Sequence, residues 1–306
     1  MNHIWYTHLI VKYVTVTTHT MGTYKRGASM SKPYYYEPYA SAVLCQHKNT
    51  VGYQTFPYHR HNGFEIYLFL SGNIRVYVES NCYEPTPGQF LLIPPTCMHR
   101  IVSQDNGNYE RVTINIKESV LEALSTSETD LGSCFSPTLP APISLSETEK
   151  EDFLHICHQL NDALVSTEFG SDVAVNIHLS QLLLLVNRCC RRSVALPTNL
   201  MPPLVKEVML YIQQHLAEEL TLEQLEKHFY QSGTYISRLF KVHTGLTLRE
   251  YILDCRIEQA KKLLQEKQSV SEACYGSGFG DYANFIRSFT KKVGVSPGKY
   301  AKQLHS

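Results

Sequence analysis

Apolar and polar positions change period along the chain. From Gly52 to Ile116 the pattern is that of strands. Ile66 to Leu70 is an unbroken apolar run, expected of a strand buried on both faces, whereas Ile74-Arg75-Val76-Tyr77-Val78 alternates as a half-buried strand does. Ser71-Gly72-Asn73 and Glu84 to Gly88 read as turns, and Phe90 to Ile93 as a strand stopped by Pro94-Pro95. Short strands at this spacing predict a small barrel or jelly roll. From Ser146 the period becomes helical. Ser146 and Glu149 form a capping box ahead of a face made by Phe153, Ile156, Cys157, Leu160 and Leu164. Asp172 to Cys190 predicts a second helix. Its run Leu182 to Val186 is apolar nearly all round, so it should be buried on more than one side, against the barrel, against a twin, or both.

Beyond Leu204 everything reads as helix. Thr221 with Gln224 caps Leu222 to Phe229, and Ser232 caps a helix running to about His243, with Gly245 ending it. Thr247 and Glu250 start a long helix to about Lys267. Ser269 with Glu272 starts the next helix, Gly278 makes a turn, and Asp281 opens a helix ended by Gly294. In that last helix Tyr282, Phe285, Phe289 and Val293 lie on one face, and Asn284, Arg287, Ser288 and Lys291 on the other. Helix, tight turn, then a helix with a polar and basic face is a helix-turn-helix DNA reader, and the pattern occurs twice. A connector of about twenty helical residues spans about 30 Å, close to the 34–36 Å between successive major grooves on one side of a duplex. One chain could then read about two turns of DNA.

Composition narrows the function classes. The 306 residues are 43% hydrophobic, ordinary for a folded protein of two domains. No uninterrupted apolar run approaches the ~18 residues of a membrane span, and the N-terminus, interrupted by His3, His8 and Lys12, does not resemble a signal peptide, so a cytoplasmic location is expected. The nine cysteines form no C-x-x-C pair, which argues for reduced, packed thiols. Net charge is zero but divided: residues 204–306 hold 14 Lys and Arg against 11 Asp and Glu, and residues 1–203 hold 14 against 17. A basic C-terminal part suits nucleic acid. No nucleophile elbow, P-loop or dinucleotide fingerprint is present, so an enzyme is not expected.

His59, His61, Glu65 and His99 fall in the pattern H-x-H-x3-E-x6-G and then G-x5-P-x-T-x2-H, which resembles the two-part signature of the cupin superfamily. In a strand, positions two apart share a face, so His59 and His61 can point into the barrel together. The chain departs from the pattern at Thr96, where glycine is usual, and at Ser103, where asparagine is frequent. The resemblance implies a ligand pocket built on these four residues. It also implies a divalent metal held by the same four; the alternative is a polar sensory pocket needing no cofactor.

The C-terminal segment is similar to the DNA-binding domain of the AraC/XylS family of bacterial transcription regulators. The likeness rests on Thr221 to Leu225, Ile236 to Lys241, Gly245, Tyr251, Arg256, Ala260, Gly278-Phe279, Asp281, Phe285, Arg287, Phe289 to Lys292 and Gly294 to Pro297. It implies a regulator that binds double-stranded DNA, works with RNA polymerase, dimerises, and is switched, as an activator of metabolic genes, by a small-molecule effector such as a sugar. The candidate base-reading residues are Tyr235, Arg238, Tyr282, Asn284 and Arg287; Lys241, Lys291 and Lys292 are candidates for phosphate. Two departures fall in the first unit. Glu226 stands where alanine is usual and Tyr230 where glycine is, so Arg287→Ala is expected to harm DNA binding more than Arg238→Ala.

The expected architecture is α+β: an arm and cupin-like barrel over 1–142, a helical packing or dimerisation segment over 143–190, a linker over 191–203, and an all-α DNA-binding domain over 204–306. Its units lie at about 221–245 and 269–294 and are joined by a long helix. A metal-dependent cupin enzyme with an attached DNA-binding domain, or a regulator controlled by a protein partner, are the competing readings.

Overall fold

Eight strands pair into two antiparallel sheets in the computed structural model, which describes residues 42–304 apart from 55, 57, 62, 96, 136–140 and 194–198. The N-terminal arm expected at the start of the 1–142 segment lies outside the described residues, as do Thr96 and the middle of the linker. The strands are β1 (Val43–Val51), β2 (Gly63–Ser71), β3 (Ile74–Val78), β4 (Asn81–Tyr83), β5 (Gln89–Ile93), β6 (His99–Ser103) and β7 (Asn108–Lys117), with β8 (Ile143–Ser144) after the short helix α1 (Glu118–Leu124). One sheet has the order β1-β7-β2-β5-β8 and the other β4-β3-β6.

Alternation along the strands sorts the side chains into separate cores. On β2, Tyr67 and Phe69 face the barrel interior with Ile74, Val76, Leu91 and Ile93. Ile66 and Leu68 face the other way, against α2 (Glu147–Val165) and α3 (Ser171–Arg192). Helices therefore cover the outer face of the five-stranded sheet, which is why β2 reads as a continuous apolar run. Leu182, Leu183 and Val186 of α3 are buried in this core, but Leu184 is exposed, so the helix packs on its own domain with one apolar side left over. Among the described residues α3 alone is long and apolar enough on average to cross a membrane; its packing on the sheet is that of a core helix.

Two expected boundaries shift. Helix α3 runs two residues past Cys190, because Arg192 forms a bidentate pair with Glu149 at 2.7 and 2.9 Å and cations favour a helix C-terminus. The next helix, α4 (Pro203–Gln214), begins one residue early, with proline at its first position, where its fixed φ fits and its missing N–H is not needed. The end of the linker is not loose chain. Leu200 donates its amide to the Cys82 carbonyl, and the Asn199 side chain accepts from the Cys82 amide, pinning the segment along β4.

The remaining helices are α5 (Leu222–Phe229), α6 (Gly233–Thr244), α7 (Leu248–Gln265), α8 (Val270–Gly276), α9 (Tyr282–Val293) and α10 (Pro297–Leu304). Capping boxes open α5, α7 and α8, and Ser232 and Asp281 cap α6 and α9, as the sequence predicts. The first unit shares a core with the barrel: Tyr58, Tyr77, Met98 and Val102 pack with Val205, Ile236, Phe240 and Tyr251. The outer face of the three-stranded sheet is thus covered by the DNA-binding domain. The second unit has its own core around Ala260, Phe279, Phe285 and Phe289.

Candidate functional site

The histidines gather at one end of the barrel because two pieces of backbone pair there. His59 and His99 exchange backbone hydrogen bonds of 3.0 and 2.9 Å, which brings the 58–61 segment beside β6. Glu65, near the start of β2, closes the cluster. The Glu65 carboxylate oxygen Oε2 lies 2.9 Å from His61 Nε2 and 3.3 Å from His99 Nε2. Each ring turns its other nitrogen to a main-chain carbonyl: His61 Nδ1 donates to Gly63 at 2.9 Å and His99 Nδ1 to Cys97 at 3.0 Å. A carbonyl only accepts, so both Nδ1 atoms carry protons.

That arrangement fixes what the site can hold. In neutral imidazoles both Nε2 lone pairs would face the same carboxylate oxygen, acceptor against acceptor. A divalent cation placed among the three atoms would accept both imidazole lone pairs and the carboxylate at once. Burial would raise the Glu65 pKa, yet the hydrogen bonds from His61 and His99 hold it well below the usual carboxylate range. Burial would lower that of His99, and Glu65 lifts it above its ordinary value. The donor atoms of His61, Glu65 and His99 lie within 4.8 Å of one another. Two imidazoles oriented by carbonyls and one carboxylate suit zinc, manganese or iron. His59 is not in that three-donor group; its ring lies against His99, with centroids 4.2 Å apart.

Deeper in the barrel lie polar groups that motif reading missed. Tyr67 and Tyr109 join their hydroxyls at 2.5 Å, and the Arg111 guanidinium sits 4.3 Å over the Tyr109 ring. Burial pushes the Tyr109 hydroxyl up to about 12, so it stays protonated and able to donate. The signal was available in the period: Glu65 and Tyr67 alternate with Ile66 and Leu68, and Tyr109 and Arg111 with Val112 and Ile114. All nine cysteines are free thiols, seven of them buried.

The second candidate surface lies on the reading helices. On α6, Tyr235, Arg238 and Lys241 are exposed; on α9, Tyr282, Asn284, Arg287 and Lys291 are exposed. Lys292 differs from its neighbours: its Nζ is engaged by Asp254 of α7, so it ties α9 to the connecting helix. At 18 residues, α7 spans about 27 Å.

A family model described as an AraC-like ligand binding domain matches residues 42–183, and one described as a helix-turn-helix domain matches residues 225–303. The chain belongs to the AraC family of transcriptional regulators. Among similar proteins is YobQ of Bacillus subtilis, named an uncharacterised HTH-type transcriptional regulator. It is 27% identical over 278 residues, which is 86% of this chain and 95% of that protein. YfiF of the same organism, similarly named, is 26% identical over 84% of this chain and 81% of its own length. RhaS of Salmonella schwarzengrund, named an HTH-type transcriptional activator, is 34% identical over 94 residues, 30% of this chain and 34% of that protein. As an AraC-type regulator the chain joins a DNA-binding helix-turn-helix domain to a ligand-binding barrel.

Proposed function

We propose that this regulator reads one DNA site of about two turns with α6 and α9 together, under the control of a small effector in the barrel. The observation that supports this reading most directly is the exposure of Tyr235 and Arg238 on α6 and of Tyr282, Asn284 and Arg287 on α9, two capped helices joined by one continuous helix. Arg favours guanine and Asn adenine in the major groove, while Lys241 and Lys291 sit where a phosphate contact would be made. In this reading the protein is a cytoplasmic activator and not an enzyme, works with RNA polymerase, and has a metabolite, sugars included, as effector. It dimerises through the apolar side of α3 left uncovered at Val173, Ile177 and Leu184. Selection of bound fragments from random duplex DNA by the full chain tests it. Enrichment of two half-sites one helical turn apart is expected, and enrichment of none would remove the reading.

The effector site includes a divalent cation on His61, Glu65 and His99. The cation would offset the carboxylate charge and join β2, β6 and the 58–61 segment at one point. Elemental analysis of protein dialysed against zinc or manganese should find one equivalent, lost in His61→Ala and His99→Ala and kept in His59→Ala. Metal absent from the wild type would leave the barrel as a metal-free pocket.

A further inference from the structure

The 58–61 segment and β6, which carry the histidines, carry on their opposite face the contacts to the first reading unit. His59 and His61 face the cluster, while Tyr58 and Arg60 between and beside them face the DNA-binding domain. Tyr58 packs edge-on against Tyr251 of α7 at 5.2 Å, and Arg60 donates to the Gln259 side chain at 3.2 Å and lies 3.9 Å from Glu258. Likewise on β6, His99 faces inward and Arg100 outward. Arg100 donates to the Thr244 carbonyl at 2.9 Å, and Tyr77 of β3 donates to the His243 carbonyl at 2.9 Å. Both carbonyls belong to the last turn of α6, where a helix leaves its acceptors unpaired. The barrel therefore holds the reading helix by its C-terminal end and leaves Tyr235 and Arg238 exposed.

This dock is not packed to an optimum. The Tyr58 hydroxyl, in the core shared with α7, is buried without a hydrogen-bond partner, and so is Asp254 Oδ2 of α7. Around Arg60 a cavity of about 170 Å³, lined also by Glu79, Gln213, Leu216 and Gln259, gives that side chain room to move. Glu79 holds its backbone at φ 50, a strained left-handed conformation, while its carboxylate accepts from the Met98 amide and the Gln213 side chain. An interface with unmet polar groups, a void and strain can exist in two arrangements at small difference in energy.

Resting on the cation reading above, we propose that the barrel cation is the lock on this dock. Without it, the segment's backbone pairing to β6 consists of the His59–His99 pair and, before it, the bonds from the Phe56 amide to the Ile101 carbonyl and from the Ser103 amide to the Gln54 carbonyl; past His59 no described backbone bond ties it to β6. A cation on His61, Glu65 and His99 fastens that segment to β2 and β6 at once, and so fixes Tyr58, Arg60 and Arg100 against α6 and α7. Occupancy favours the docked reading unit; loss of the cation releases it.

The test is backbone hydrogen exchange on the full chain, stripped with chelator or saturated with zinc chloride, with zinc stoichiometry measured on the same samples. Zinc is expected to slow exchange in residues 236–259 about tenfold. In a chain carrying R60A and R100A together, zinc should bind with unchanged stoichiometry and leave exchange there unaltered. Should that variant fail to fold, Tyr77→Phe removes one hydroxyl only and should lose part of the response. Zinc bound at one equivalent with no change in 236–259, or an undiminished response in the double variant, overturns the lock. If zinc does not bind the wild type, the cation reading fails by itself. The coupling is then judged on metal-free Glu65→Gln: faster exchange in 236–259 supports it, and unchanged exchange overturns it.

Discussion

Glu226 of α5 accepts a hydrogen bond from the backbone amide of Gly233, the first residue of the reading helix α6. The two positions are matched in size as well as charge. A Cβ added at Gly233 would stand 2.8 Å from the Glu226 carboxylate and 3.2 Å from Leu222 Cβ. The small residue expected at 226 has in effect moved to 233, and the carboxylate fills the space, facing the positive end of the helix. Glu226→Ala should therefore lower stability by about 1 kcal/mol through loss of this cap. Urea unfolding monitored by circular dichroism checks it; an unchanged midpoint would show that the bond contributes nothing.

Tyr230 ends α5 in the left-handed region, at φ 53, and the residue is 90% exposed. A residue with a Cβ is strained there, and its ring gains no packing in return. Tyr230→Gly is expected to stabilise the chain by about 1 kcal/mol, visible as a higher unfolding midpoint. A lower midpoint would mean that the ring has a contact in solution.

Gly278 is the opposite case. It turns at φ 87, and an added Cβ would meet the Leu216 carbonyl oxygen at 1.9 Å, backbone that cannot step aside. Arg256 holds that carbonyl in place, donating to it at 3.2 Å and to the Glu218 carbonyl at 2.9 Å. The turn of the second unit is thus packed against the end of α4 in the first. Gly278→Ala should destabilise by at least about 3 kcal/mol, toward the upper end for a single substitution, and should loosen both units together. Differential scanning calorimetry would show this as loss of a common transition rather than of the second unit alone.

How far the fold could be read in advance depended on range. Local signals were sufficient for the elements: each capping box and each helix-ending glycine lies in its own few residues, and Ile74 to Val78 forms a strand with the bounds its alternation predicts. The gathering of His61, Glu65 and His99 was legible in the motif spacing, but that spacing and the two-residue period also point to His59, which lies against the His99 ring outside the three-donor group. The dock was not. Tyr77, Arg100 and Arg60 look like ordinary outward residues of a half-buried sheet, and nothing near them in sequence shows that α6 and α7 cover that face. The same limit applies to Lys292, whose partner Asp254 lies 38 residues away.

The accommodation of Glu226 and Tyr230 bears on DNA binding. The expectation that the second unit leads rested on those two residues distorting the first. Glu226 instead anchors α6, and the strain at Tyr230 is confined to an exposed turn. Arg238→Ala and Arg287→Ala are therefore expected to weaken binding to a selected site by similar amounts, about 1–3 kcal/mol each. Fluorescence anisotropy at fixed salt measures both. A loss confined to Arg287→Ala would restore the second unit to the lead and place α6 off the bases.

Acid should loosen α2 from α3 at a defined point. Arg192 and the Ser146 amide and hydroxyl bind the Glu149 carboxylate, and its pKa falls to about 2. A carboxyl whose folded pKa is depressed contributes stability above its unfolded value of about 4.3, and that contribution is lost as pH drops toward the folded one. The pair is partly exposed, so the effect is modest and screened by salt. Wild type and Arg192→Ala should then differ in unfolding midpoint at pH 6, and the difference should shrink as the pH approaches 2. A gap that stays constant over that range would show that Arg192 acts through packing on α2 and not through the charge of Glu149.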